Sequence, residues 1–337
     1  MANGLKKWLN ELSLLSEKQK FFQDPRKMRG AFEVVVCAAW LASLTAEPPA
    51  LTLHVATWNV NGQSPPDNLY KLLGQRNPDN PEPDIVVLGL QEVTITPQFI
   101  FSDKWSKQVD DILSGSYTKV GTEAMVGVIM NIYVKRDHDW ALGQVEGSTV
   151  KTGFGGLYGN KGAVLISFSL HEKKFTFINC HLPAHDDGLE KRIEDYHTIE
   201  SRRSSKCSQP QDYIFWIGDL NFRIGDRSLG ANRIQHMVQK GRQDEVLEKD
   251  ELTHLMSTGQ IFRGWSEPPI SFRPTFKIIP EKGTYNLKRR PAWTDRLLFM
   301  SETGQDIVNT YYNSSDEFLD SDHKPVIGLF DVWVDLP

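Results

Sequence analysis

The chain has 337 residues, 39% of them hydrophobic and 24% charged, with a formal net charge of −5. That length permits a sizeable core in one large domain or two ordinary ones, while the acidic balance argues against a protein living mainly on DNA or RNA and leaves room for a local basic patch. Cys37, Cys180 and Cys207 have neither metal-like spacing nor the density of a disulfide framework, so a reducing compartment is the simpler reading.

In chain order, residues 1–50 stand apart as an N-terminal extension. Ser13 to Gly30 is polar and charged, and Ala31 to Ala46, AFEVVVCAAWLASLTA, is a compact apolar run. It is short for a membrane span and carries Glu33 inside it. Read from Met28, with Arg29 in front, it resembles a secretory signal set unusually deep in the chain. A packed helix or a peripheral membrane contact is the expectation, with Glu47 to Ala50 as the linker and one domain over 51–337.

From Leu51 the pattern changes to short apolar strands separated by helical and turn-rich stretches. LTLHVATWNV alternates and gives way to polar residues at Asn59 and Asn61. DIVVLGLQEV is continuously apolar, as a central strand is, and finishes on Gln91 and Glu92. VGVIMNIYVK, KGAVLISFSL and KFTFINCHLP follow, the last reaching His181. DYIFWIGDLN, DRLLFM and KPVIGLFDVWV complete the strands. Lys191 to Ser204, Gln235 to Glu248 and Glu251 to Ser257 read as helices. The pattern predicts an α/β fold, a two-sheet sandwich flanked by helices.

Strand after strand stops in Asn, Glu, His or Asp, where an apolar core gives way to a cleft, and strand ends are rigid mounts. Asn59, Glu92, His181, Asp219, Asn221, Asp295, Asp322 and His323 supply carboxylates, carboxamides and imidazoles. Oxygen donors with neutral amides suit a hard divalent cation such as Mg²⁺, and paired Asp and His suit acid–base work. The reaction class is metal-assisted attack of water on a phosphate ester. Taken singly, each residue has a plainer reading: Glu92 in a solvated loop, Asn59 and Asn61 in a turn, Ser321 to His323 as a helix cap. Their combination in this order is what gives them weight.

FWIGDLNFR (215–223) and RPAWTDRLL (290–298) resemble the paired signatures of the inositol polyphosphate 5-phosphatases. TWNVNG (57–62), LGLQEV (88–93), GNKGAV (159–164), CHLPAHD (180–186) and SDHKPV (321–326) fall in that family's order, from about Leu51 to Val334. The resemblance implies the two-sheet fold of DNase I-like enzymes with the site at one edge. By it, Glu92 is the main Mg²⁺ carboxylate, with Asn59 alongside. Asp219 orients and deprotonates the attacking water, and Asn221 holds water or phosphate. His323 contacts the 5-phosphate, oriented by Asp295 or Asp322, and His181 stabilises charge on the phosphoryl oxygens.

A polyphosphorylated ring also needs cations for the phosphates left behind. Lys288, Arg289 and Arg290 precede Asp295, and Lys161, His185 and Arg223 flank other motif residues, so 4-phosphate contacts are expected from this set. In KTGFGGLYGNKG (151–162) the glycines allow close approach to a phosphate, while Phe154, Leu157 and Tyr158 form an expected membrane-contacting tip. Ile278, Leu287 and Ile193 depart from residues common in the family and bear on substrate ranking rather than on the metal and water machinery. The expected partners are phosphoinositide headgroups, soluble inositol polyphosphates and a peripheral membrane surface, without nucleic acid. A cytoplasmic monomer peripheral at membranes is expected. A nuclease of the same fold, and a scaffold that keeps the fold without activity, are the competing readings.

Overall fold

The computed structural model describes residues 50–75, 81–94, 103–153, 160–206 and 209–334. The N-terminal extension and the Phe154, Leu157 and Tyr158 tip lie outside the described residues. Pro49–Pro337 forms one compact unit.

Two sheets carry it. The first has six strands and the second five. In the first, β1 (Ala50–Asn59) and β2 (Ile85–Gln91) run parallel, flanked by antiparallel β13 (Val326–Trp333) and β4 (Val128–Lys135), with β12 (Ile307–Ser314) and β3 (Tyr117–Met125) at the edges. In the second, β7 (Lys173–His181) and β8 (Tyr213–Asp219) are the parallel pair, beside β6 (Gly162–Leu170) and β11 (Asp295–Met300), with β5 (Leu142–Lys151) at an edge. A short hairpin of β9 (Ile278–Ile279) and β10 (Thr284–Tyr285) stands apart.

The central strands are apolar throughout because both of their faces are covered. β2 is buried at every position. Val55, Val87 and Ile132 face Phe177, Phe215 and Ile217 between the sheets, and Trp58, Leu88 and Val86 pack outward against Trp105, Leu69 and Val109. Phe177 and Phe215 stack at 5.2 Å. On the far side of the second sheet, Trp216 packs with Tyr196 and Phe262 of a third cluster.

The helices cap these faces. α1 (Lys104–Leu113) starts at Asp103, whose side chain accepts from the Ser106 amide, and α2 (Leu189–Lys206) buries Tyr196 and Ile199. The stretch expected as one helix over 235–248 is instead α3 (Ala231–Gln239) and α4 (Gln243–Leu247). Gly241, at φ +71, ends the first in a left-handed conformation that glycine adopts without penalty. α5 (Glu251–Ser257) lies where the sequence placed it, capped by Asp250. The sequence reading passed over β3, β5, β12 and α1. The three strands are the exposed or half-exposed edges, so they lack the apolar run that marks a central strand.

One fold-level histidine yields a test. His54 on β1 is buried, its Nε2 hydrogen-bonded to the Leu72 carbonyl at 2.9 Å. Burial, partly offset by that bond, lowers its pKa from 6.5 to about 4. The unfolded imidazole therefore takes up a proton that the folded one refuses, so this contribution is complete above 6.5 and lost as pH falls toward 4. Between pH 7 and pH 5 it amounts to about 2 kcal/mol. Urea denaturation of wild type and His54→Gln at both pH values should show the variant losing correspondingly less on acidification. Parallel losses would show that His54 is not the titrating group.

Candidate active site

The parallel pairs of both sheets end at the same edge, and their polar termini meet there. β1 delivers Asn59, and β2 is followed by Glu92, which at φ +56 turns the chain away from the sheet. β7 ends at His181 and β8 at Asp219, which are register partners. β11 begins with Asp295, directly opposite Asp219. The loop before β13 adds Ser321, Asp322 and His323. Asn61, His185 and Asn221 share the positive φ of Glu92, so strained backbone gathers at these strand ends.

The side chains form one connected array. Asn59 Nδ2 donates to Glu92 Oε1 and to Asp219 Oδ2, each at 3.0 Å, while its Oδ1 accepts from the Asn61 amide. Asp219 Oδ2 lies 3.3 Å from His181 Nε2 and 4.0 Å from His323 Nε2, and Oδ1 accepts from the Asn221 amide at 3.1 Å. His323 Nδ1 is 2.9 Å from Asp295 Oδ2, which also accepts from Thr275 Oγ1 at 2.6 Å and Thr294 Oγ1 at 2.8 Å. The loop is tied down by Trp58 Nε1 donating to the His323 carbonyl and Ser321 Oγ donating to the Asn59 carbonyl.

The electrostatics follow from this geometry. Burial alone lowers the affinity of His323 for a proton, but the Asp295 and Asp219 carboxylates outweigh it and push its pKa up to about 9. Burial alone would raise the Asp219 carboxyl, yet the His323 and His181 imidazoles and Lys161 hold it well below the usual carboxylate range. Burial and the neighbouring Lys161 lower His181, so it is neutral. Near neutrality the pocket thus contains an ionised Asp219 beside an imidazolium at His323. Such a carboxylate orients a water strongly and is a weak base in the ground state.

The remaining expected residues divide into two groups. Lys161 Nζ sits 2.5 Å from His181 Nε2, within the array. Arg289 is exposed with Nη1 3.1 Å from His185 Nδ1, and Lys288 is exposed beside it, so these three form a rim. Arg223, by contrast, turns inward. It is 5% exposed, donates to the Asn221 carbonyl and side-chain oxygen, and lies 4.5 Å over the Phe276 ring. Its guanidinium holds Asn221, whose Nδ2 is spent in turn on the Leu182 carbonyl. Arg290 also serves the fold, bridging Asp186 and the Asp226 and Ile224 carbonyls. Asp322 is 2.6 Å from Lys277 and 3.9 Å from His323 Nε2, so Asp295 is the residue that orients the imidazole.

Sequence reasoning missed Thr275, Thr294 and Lys277. Thr294 stood next to Asp295 and was legible from that adjacency. Thr275 lies 20 positions from its partner and carried no local mark.

Residues 56–329 match the model of endonuclease/exonuclease/phosphatase family 2. The inositol polyphosphate 5-phosphatase domain of SPsynaptojanin, solved in complex with inositol (1,4)-bisphosphate and calcium ion, is 31% identical. The match covers 86% of this chain and 87% of that one at a TM-score of 0.73. The chain belongs to the inositol polyphosphate 5-phosphatase family. Mouse phosphatidylinositol 4,5-bisphosphate 5-phosphatase A is a 5-phosphatase relative 34% identical over 87% of this chain. The chain spans only about a third of that protein's length, 32%. A Cimex nitrophorin in a ferrous NO complex shares the 5-phosphatase fold, at 28% identity and a TM-score of 0.72, over 86% of this chain and all of its own. The fold thus accommodates more than one function, and the site residues carry the functional reading.

Proposed function

We infer that the chain is a metal-dependent phosphatase that removes the 5-phosphate from phosphoinositide headgroups such as PI(4,5)P2 and PI(3,4,5)P3, and from soluble inositol polyphosphates. The observation that carries this is the convergence of Asn59, Glu92, Asp219 and His323 at one edge, although they come from separate strand ends and loops and span 264 positions of sequence from Asn59 to His323. The solved relative's ligand supports it, since inositol (1,4)-bisphosphate is a ring without a 5-phosphate.

The donor set fits a hard cation. Glu92 presents a carboxylate 44% exposed, Asn59 beside it would offer its amide oxygen once the amide turns over from its Nδ2 contacts to Glu92 and Asp219, and no thiol among the described residues points there. Asp219, Asp295 and His323 also bring ligand atoms within 4.8 Å of one another. Asp295, however, already accepts from two threonine hydroxyls and His323, which marks it as part of an acid–base array. Glu92 and Asn59 are therefore the residues that would hold Mg²⁺, which when bound supplies positive charge to phosphoryl oxygens. Asp219 orients the attacking water and accepts its proton as the new O–P bond forms; the P–O bond to the ring breaks, and the leaving ring oxygen takes up a proton to become a hydroxyl. His323, kept protonated by Asp295, donates to a phosphoryl oxygen, with Lys161 nearby to offset charge. His185, Lys288 and Arg289 face the phosphates that are retained.

Phe154, Leu157 and Tyr158 remain the proposed membrane-contacting tip, and the proposed setting is cytoplasmic, peripheral at membranes. No helix among the described residues is long and apolar enough to cross a membrane. The test is direct: supply Mg²⁺ with PI(4,5)P2, PI(3,4,5)P3 or inositol 1,4,5-trisphosphate, and identify the position dephosphorylated. Chelation by EDTA should cut turnover about a hundredfold or more, restored by added Mg²⁺, because such a cation contributes several kcal/mol to the transition state. Release from no inositol substrate, or release indifferent to chelation, would overturn the reading.

A further inference from the structure

The active site is split across the seam between the two sheets. Asn59, Glu92 and His323 belong to the first sheet and its loops, and His181, Asp219 and Asp295 to the second. Its decisive contacts cross that seam: Asn59 to Asp219 at 3.0 Å, His323 to Asp295 at 2.9 Å, and Glu92 to His181 at 3.8 Å. The material between the sheets is mainly hydrocarbon, crossed elsewhere by the Tyr213 hydroxyl donating to the Trp333 carbonyl and the Leu297 amide donating to the Tyr312 hydroxyl. Apolar attraction is non-directional, so it holds the sheets together without setting their relative position to a few tenths of an ångström.

Beneath the site lies a polar exception. Asn179 on β7 is fully buried, two residues before His181, and its side chain reaches across into the first sheet. Nδ2 donates to the Ile129 carbonyl at 2.9 Å and the Leu90 carbonyl at 3.2 Å, while Oδ1 accepts from Gln91 Nε2 at 2.6 Å. Gln91 precedes Glu92, stands opposite Asn59 in the β1–β2 register, and donates its other hydrogen to Thr57 Oγ1 at 3.0 Å. Every N–H of the two amides is thereby used. Rotating Asn179 by half a turn would set its oxygen against two carbonyl oxygens, so one orientation is selected. Gly89 makes the crossing possible, since a Cβ there would stand 2.7 Å from both Asn179 Cγ and Ile217 Cδ1.

We propose that Asn179 and Gln91 are positioning residues. Their amide pair pins the two sheets in the register that brings the Asn59–Glu92 half of the site onto the His181–Asp219 half. Buried hydrogen bonds have narrow geometry, so this pair, two residues from His181 and opposite Asn59, supplies lateral constraint next to the site that the hydrocarbon around it lacks. The residues touch neither substrate nor cation and act through the strands that carry Glu92 and His181. The inference rests on the proposed phosphatase reading for its kinetic arm alone.

The test uses the full chain with Mg²⁺ and inositol 1,4,5-trisphosphate, comparing wild type, Asn179→Leu and the double variant Asn179→Leu/Gln91→Met. Asn179→Leu should lower both the melting temperature and kcat, the latter about tenfold to a hundredfold with KM changed less than about twofold, as a small misplacement of reacting groups does. Replacing Gln91 as well removes the Nε2 donor that Asn179→Leu leaves unpaired, together with its already unpartnered Oε1, so the double variant should recover part of the lost melting temperature. Its kcat should stay low, and a crystal structure should show Asn59 Nδ2 and Asp219 Oδ2 moved apart from 3.0 Å. If kcat returns with stability, or the seam distances are unchanged, the pair is merely structural and the proposal fails. Should Asn179→Leu not fold, the double variant decides alone. A wild type inactive on every inositol phosphate would sink the phosphatase reading, and the crystallographic distance would still test the pin.

Discussion

Asp219→Asn should reduce phosphate release about a thousandfold or more, in the upper part of the range for losing a positioned acid–base group. The carboxylate is 1% exposed, accepts from Asn59 and the Asn221 amide and lies 3.3 Å from His181 Nε2, so an isosteric amide fits without a steric penalty. What changes is charge and acceptor count. One of the two oxygens becomes an NH₂ group, and either Asn59 or the Asn221 amide then faces a donor, at a cost of about 1–3 kcal/mol. His323 also loses one of the anions that keep it protonated, and its pKa should fall from about 9. Turnover, a thermal melt and an NMR titration of His323 check the three parts. A rate within tenfold of wild type would show that another group handles the water.

Arg296→Met should do the opposite: cost stability first and chemistry second. Arg296 belongs to the PAWTDR stretch, yet it is fully buried, with Nη1 2.9 Å from Asp250 and Nε and Nη2 each 2.6 Å from the Glu267 carboxylate. Removing it leaves the buried Asp250 with only the Thr253 amide and hydroxyl as donors, and the part-buried Glu267 without its cation. Asp250 already has Oδ2 without a hydrogen-bond partner, and Glu267 would keep only the Tyr312 hydroxyl at 2.9 Å. Breaking such a network from one side is expected to destabilise the fold by about 3–5 kcal/mol. Urea denaturation measures that loss. At low temperature the folded fraction should retain a kcat within about tenfold of wild type, since Arg296 stands opposite Gly218 in register and away from the cleft. A raised KM with intact stability would instead make Arg296 a substrate contact.

Most of the central architecture is legible in the sequence, because a strand covered on both faces must be apolar along its length, as β2 and β8 are. The edges are not. β5 and β12 are largely exposed, so selection for burial leaves no periodic trace in GQVEGST or VNTYY. The helix expected over 235–248 divided at Gly241, a residue visible in the sequence but overlooked as a stop. The candidate site was legible by residue type and order. Arg223 shows the limit of that reading: a guanidinium beside a motif suggested a phosphate contact, and the fold turned it onto Asn221.

By itself the sequence determined which groups stand at strand ends, that those groups are hard oxygen donors and imidazoles, and that the chain is of the 5-phosphatase kind. Those properties are local: a run of apolar residues and its polar terminus can be read within a dozen positions. Only the tertiary structure decided that His323 is held by Asp295 and not by the adjacent Asp322, which Lys277 takes instead. It alone brought Thr275 onto the same carboxylate and set Asn179 across the seam into Gln91. Such partnerships depend on which strand lies beside which and in what register, and hydrogen bonds between distant segments leave no periodicity in either one.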